Sequence, residues 1–185
     1  MRMDGFELPC TATAVFVLHY VFVDTFAVGA ARNPYQLKYP FTTETEDARM
    51  LEPFIRALRA QQNQVEQAWA FFLAMWVCAV FVDPVFAGCC AWIWVPARMA
   101  YGYMYRVSPS RNRLMWATVP AYLAQATVCG GILSSALPLA PVAAGTTSAL
   151  IVVAFGVYGW LVYRPWFGSL VAEEKTRLQN QLIPS

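Results

Sequence analysis

Charge is scarce in this chain. Only 13% of its 185 residues are Asp, Glu, Lys or Arg, where a soluble domain has about a quarter, and 58% are apolar. A water-soluble globule is excluded by that balance, and an integral membrane protein is the class that remains. Histidine is scarcer still: His19 stands alone, so no pair of imidazoles exists within one subunit to hold a metal. Cys10, Cys78, Cys89, Cys90 and Cys129 lack the spacing of a thiolate metal site, and all but Cys10 lie in apolar stretches. They read as small packing residues without disulfides. A net charge of +2, dispersed along the chain, excludes nucleic acid as a partner. The start, with Asp4 and Glu7 close behind Arg2, lacks the cationic, acid-poor character of a presequence, so the first apolar stretch is expected to stay as a span. Internal repeats and paired interrupted helices, the marks of a transporter, are also missing.

What is present is a series of apolar runs of about the 20 residues a helix needs to cross a bilayer. Spans are expected at 11–31, 65–83, 85–105, 114–137 and 142–163, with a polar tail at 164–185, all in one membrane domain. Between the first two lies the longest polar region, 32–58. Its Thr42, Thr43 and Thr45, set before an acidic pair, predict a helix that starts near residue 45 and runs on into the membrane, with Pro53 placed to interrupt it. Asp83 and Pro84 make a two-residue break, which predicts a tight antiparallel hairpin of spans two and three. Pro96 lies inside span three and Pro120 inside span four, where the run from Cys129 to Ala136 is small enough for close helix approach.

With five spans, eleven of the thirteen Lys and Arg fall on one side: Arg32, Lys38, Arg49, Arg56 and Arg59, then Arg106, Arg111 and Arg113, then Arg164, Lys175 and Arg177. Arg2 is left on the other side and Arg98 within the bilayer. The positive-inside rule assigns the basic side to the cytosol or its organellar equivalent.

Two polar stripes lie toward that basic side. Arg59, Asn63 and Glu66 stand at i, i+4 and i+7, which on a helix puts a guanidinium, a carboxamide and a carboxylate on one face. Arg98, Tyr101 and Tyr105 follow the spacing i, i+3, i+7 in span three. An uncompensated charge at mid-bilayer costs roughly 2.5 to 3.5 kcal/mol on insertion scales, so Arg98 and Glu66 should face a bundle interior or a wet cavity. Asp24, deep in span one, needs an arginine or a hydroxyl as its partner for the same reason. Two such stripes imply one shared site. Its groups suit a small zwitterion or anion that enters from the aqueous side, next to a lipid-accessible surface.

The run R-A-Q-Q-N-Q-V-E at 59–66, followed by A-R-M-A-Y-G-Y-M-Y at 97–105, resembles the MAPEG family of microsomal glutathione transferases, leukotriene C synthase and the lipoxygenase-activating protein. The likeness covers roughly residues 47–113 by motif, and the first and fourth spans by hydropathy. It implies an all-α integral membrane fold, a MAPEG-like four-helix bundle to which the fifth, C-terminal span is an addition. It further implies a homotrimer, with glutathione as co-substrate bound between subunits and an electrophilic lipid arriving from the bilayer. By motif position Arg59, Gln61, Asn63, Glu66, Tyr101 and Tyr105 would contact glutathione, together with Arg98 and with Arg32 at the end of span one. Arg111 or Arg113 would activate the thiol, since a guanidinium beside sulfur favours the nucleophilic thiolate. No metal is implied. Gln67 stands where the family usually has an aromatic residue and Met104 where it has a glycine. The expected function is a glutathione-dependent transferase or peroxidase in the endoplasmic reticulum or an organellar membrane such as the mitochondrial one. The alternative is a non-catalytic MAPEG-fold subunit, structural or accessory, of a larger membrane complex.

Overall fold

The structure is a computed structural model that describes residues 4–33, 52–107 and 111–136, with isolated positions beyond them. Among the described residues every regular element is a helix. Four are built: α1 (Glu7–Arg32), α2 (Glu52–Phe81), α3 (Pro84–Val107) and α4 (Arg111–Ala136). At 24 to 30 residues each, they rise about 36 to 45 Å at 1.5 Å per residue, enough to cross a hydrocarbon core of ~30 Å. By length and composition together, α1 and α2 pass as membrane-crossing helices. The expected fifth span at 142–163 and the tail at 164–185 lie outside the described residues apart from those isolated positions, as does the region near residue 45.

The apolar run expected at 65–83 is the second half of a longer helix, described from Glu52, in keeping with the expected helix that runs on into the membrane. Pro53, expected to interrupt the helix, lies directly after its first described residue, and from there the helix runs unbroken to Phe81. The polar residues of 52–64 stay helical because Phe54 and Ala57 are buried, packing with Val28 of α1. That contact anchors the polar half of α2 to the end of α1.

The hairpin forms as expected. α2 ends at Phe81, and the backbone N–H groups of Val82 and Asp83 both donate to the Cys78 carbonyl, at 2.9 and 3.0 Å. Asp83 then caps α3: its Oδ1 accepts the Phe86 N–H at 2.6 Å, three residues on, and Pro84 takes the first helical position. Termination and initiation are complete in two residues.

Side chains of α1, α2 and α3 meet in an aromatic core. The Phe71 ring lies flat on Trp94, centroids 4.3 Å apart and planes 3° apart, while Phe16 and Phe72 tilt against Trp94 at 5.5 Å each. Such pairs contribute about 0.5 to 1.5 kcal/mol each beyond the area they bury. Met75, Cys78, Ala91, Val95, Ala124 and Val128 fill the rest, the last two brought by α4. Outward, Phe22, Phe26, Trp69, Leu73, Phe81, Trp116 and Leu123 are exposed. In water such a surface would aggregate; in lipid it is at home. All five cysteines are free, Cys10 and Cys89 at the surface and Cys78 and Cys90 inside.

Near the hairpin end, α1 and α3 touch through Gly88, where a Cβ would lie 2.4 Å from Cβ of Leu8 and 2.7 Å from Cδ of Pro9. Gly88→Val therefore has to push the helices apart, at a cost of about 1 to 3 kcal/mol. Thermal unfolding in detergent micelles should show Tm lowered by several degrees for this variant. Gly130→Ala, whose Cβ meets nothing within 4 Å, should leave it unchanged or higher.

Candidate functional site

The two-residue hairpin makes α2 and α3 antiparallel neighbours, so the first half of α2 faces the last turns of α3. Here Arg98, only 3% exposed, is held across the interface. Its Nε donates to Oε1 of Gln64 at 3.1 Å, and its Nη2 donates to both the carbonyl and Oδ1 of Asn63, at 3.0 and 2.6 Å. Gln64, itself fully buried, returns a bond from Nε2 to the Arg98 carbonyl at 2.6 Å. Rings cover the guanidinium on two sides, Tyr101 at 4.6 Å and Trp94 at 5.8 Å. Every one of these partners is neutral, so Arg98 makes no direct ion pair behind the wall they form.

On the open side of that wall is a cavity of about 120 Å³ lined by Arg59, Gln62, Asn63, Glu66, Tyr101 and Tyr105. Both expected stripes contribute to it. Tyr101 and Tyr105 stack with centroids 5.9 Å apart, one turn of α3 carrying both rings to the same wall. A wider, more open hollow of about 400 Å³ adjoins it, lined by Tyr20, Gln61 and Val65 as well as by Arg59, Gln62 and Glu66, which both share. Arg59 and Glu66, of opposite charge and both exposed, thus stand on a ridge between two hollows. Gln61 turns toward α1, where its Nε2 donates to Oγ1 of Thr25 at 3.2 Å.

Beneath lies a second polar cluster. Asp24 is fully buried, ion-paired with Nη1 of Arg106, and its Oδ2 is 3.3 Å from Nδ1 of His19. Arg106 is the arginine partner that Asp24 requires, so this residue works inside the bundle and not as a loop cation. Gly102 makes room for the junction: a Cβ there would be 2.8 Å from Nε2 of Gln64 and 3.4 Å from Oδ1 of Asp24. Three helices meet at this one glycine.

Of the candidate residues, Arg59, Asn63, Glu66, Tyr101 and Tyr105 come together in one cavity, and Gln61 borders its neighbour. Arg98 stands behind the cavity as the post to which Asn63 is tied. Arg32 ends α1 with its guanidinium 5.0 Å above the Phe54 ring. Arg113 is exposed two residues after Arg111, the first described residue of α4, whose own side chain lies outside the described ones. Sequence reasoning passed over Gln62, Gln64 and Arg106. The helical spacing held a signal for Gln62, three residues after Arg59 and four before Glu66 on the same face. For Gln64 no signal existed, because a buried glutamine is recognised only by what it binds.

Fold and site together define a class: an all-helical membrane bundle with a polar, arginine-bearing pocket at one end. The chain belongs to the MAPEG family, whose defining pattern matches residues 9–134. Microsomal glutathione S-transferase 2 of Bos taurus is 31% identical to it over 112 residues, 60% of this chain and 73% of that protein. A protein of Synechocystis named only as uncharacterized is 30% identical over 126 residues, 68% of this chain and 86% of its own length.

Gln64→Leu removes the acceptor for Arg98 Nε and the donor to its carbonyl, leaving polar atoms buried without partners. A loss of about 1 to 3 kcal/mol is expected, read as a lower midpoint of thermal unfolding in detergent.

Proposed function

We propose that the chain is a membrane-bound glutathione-dependent transferase or peroxidase that acts on lipophilic electrophiles, as a homotrimer in the endoplasmic reticulum or a mitochondrial membrane. The observation that carries this reading is the ridge of Arg59, Gln62, Asn63 and Glu66 facing Tyr101 and Tyr105. Glutathione offers two carboxylates, an ammonium, two amides and a thiol. Arg59 matches a carboxylate, Glu66 the ammonium, the carboxamides of Gln62 and Asn63 the amides, and the tyrosine hydroxyls any remaining oxygen. The charge on Arg98, which makes no direct ion pair, adds a positive background that favours a ligand with net negative charge.

Support for the trimer comes from the incompleteness of the site. A drug-sized ligand is enclosed by pockets of about 300 to 1,000 Å³, and the cavity of about 120 Å³ is too small to enclose a tripeptide without the open hollow beside it. A second subunit against the exposed ridge would supply the missing wall. Arg111 and Arg113 lie at the start of the described part of α4, at this same end of the bundle, and Arg32 ends α1 there. A guanidinium from this set, beside the sulfur, favours loss of the thiol proton to solvent. The thiolate pair then forms a bond to an electrophilic carbon while the leaving group departs with its own pair. With a hydroperoxide, the same pair attacks the terminal oxygen, the O–O bond breaks and the alkoxide leaves, taking a proton to become the alcohol; a second glutathione then attacks the sulfenic acid sulfur, forming the disulfide and releasing the oxygen as water.

Glutathione added to the detergent-purified protein should produce a thiolate band in the ultraviolet difference spectrum. Arg59→Ala should weaken binding about tenfold or more, the size of one charge-assisted hydrogen bond, whereas Arg113→Ala should keep binding and lose the thiolate band. Neither binding nor thiolate with the unmodified protein at millimolar glutathione would replace this reading with that of a non-catalytic accessory subunit.

A further inference from the structure

Within α1 the backbone widens into a π-helical turn over Tyr20–Thr25. It has an identifiable result. In an α-helix residues five apart point about 140° away from one another, but a turn widened to i→i+5 lays them on one side. Here that turn brings Nδ1 of His19 to 3.3 Å from Oδ2 of Asp24 and lets Oγ1 of Thr25 bond the Tyr20 carbonyl at 3.1 Å. Asp24 then reaches across to Arg106 on α3. Nδ1 of His19 and Oδ2 of Asp24 are buried and make no hydrogen bond, so the cluster is held ready beyond what the ion pair alone uses. A buried carboxylate in a spanning helix marks function before it marks stability, because a well-packed apolar pair would hold the helices as firmly.

Each member of the cluster has a sequence neighbour in or beside the site. Tyr20, next to His19, lines the wide hollow; Thr25, next to Asp24, binds Gln61; Tyr105, next to Arg106, lines the small cavity. Gly102 brings Asp24 close to Gln64, which in turn holds Arg98. We propose that His19, Asp24 and Arg106 are positioning residues that set the distance between the α1 and α3 walls of the ligand site through the π turn, and so govern its affinity for glutathione. This inference rests on the cavity being a glutathione site. The cluster touches no substrate; it acts through Tyr20, Tyr105 and the Thr25–Gln61 bond.

The test uses the full chain in detergent micelles, with glutathione titrated calorimetrically and thermal unfolding recorded on the same samples. Removing one charge alone would strand the other inside the bundle, so the main variant carries Asp24→Asn together with Arg106→Gln. It is expected to unfold near the wild-type temperature yet bind glutathione about tenfold more weakly. Combined with Tyr105→Phe, the loss should fall short of the product of the separate losses by at least about threefold, the mark of two changes acting on one wall. His19→Leu, which leaves the ion pair in place, serves as the second variant and is expected to bind about threefold more weakly. Wild-type affinity in the paired variant, or losses that multiply independently, overturns the positioning role while leaving the glutathione site standing. No binding by the unmodified chain overturns both.

Discussion

Everything in this bundle depends on one constraint: polar atoms surrounded by hydrocarbon must find partners within the protein, since no water is there to serve them. Arg98 shows how the constraint is met. A carboxylate opposite it would have cancelled its charge; Gln64 and Asn63 instead satisfy its N–H groups geometrically and leave the charge in place. Asp24 and Arg106 meet the same constraint in the other way, by cancelling. A cancelled pair and a cation without a direct ion pair, set on either side of Gly102, give the basic end of the bundle a net positive interior beneath a surface that also exposes Arg59 and Glu66. An anionic ligand, as the proposed function requires, would meet a site whose field is already in place.

That constraint also accounts for how much could be read beforehand. Four of the helices were legible because hydropathy marks the parts of a chain that lipid can accept, and Asp83–Pro84 named its own turn, one residue by capping and the other by lacking a donor. Helical spacing brought Arg59, Asn63 and Glu66 to one face and Tyr101 and Tyr105 to the facing wall, as the cavity has them. Hydropathy alone marks only the apolar part of α2; the helix also takes in the polar residues before it, where the apolar stripe of Phe54 and Ala57 finds a neighbour in Val28. The π turn was invisible for a different reason: the ion pair that Asp24 makes from it, with Arg106, joins residues 82 positions apart in the sequence. Reading Arg106 as one cation among three in a loop was reasonable by counting and incomplete by packing.

The exterior complements this account. Among the described residues, exposed aromatics and leucines on the four helices flank the polar ridge of α2. For the function proposed, a lipophilic electrophile would reach the ridge along such a surface and glutathione from the polar end of the bundle, and this separation would favour reaction between the two over reaction of either with water.

The connection at Val82–Asp83 has a mechanical consequence. Two residues with a capped helix on the far side leave no slack, so α2 and α3 cannot slip along one another by a helical turn of 5.4 Å without unwinding the cap. Toward the other end the two helices are laced a second time, by Arg98 to Asn63 and Gln64. The hairpin is thus fastened at two levels, and the turns that carry Arg59 and Tyr105 lie beyond the second one.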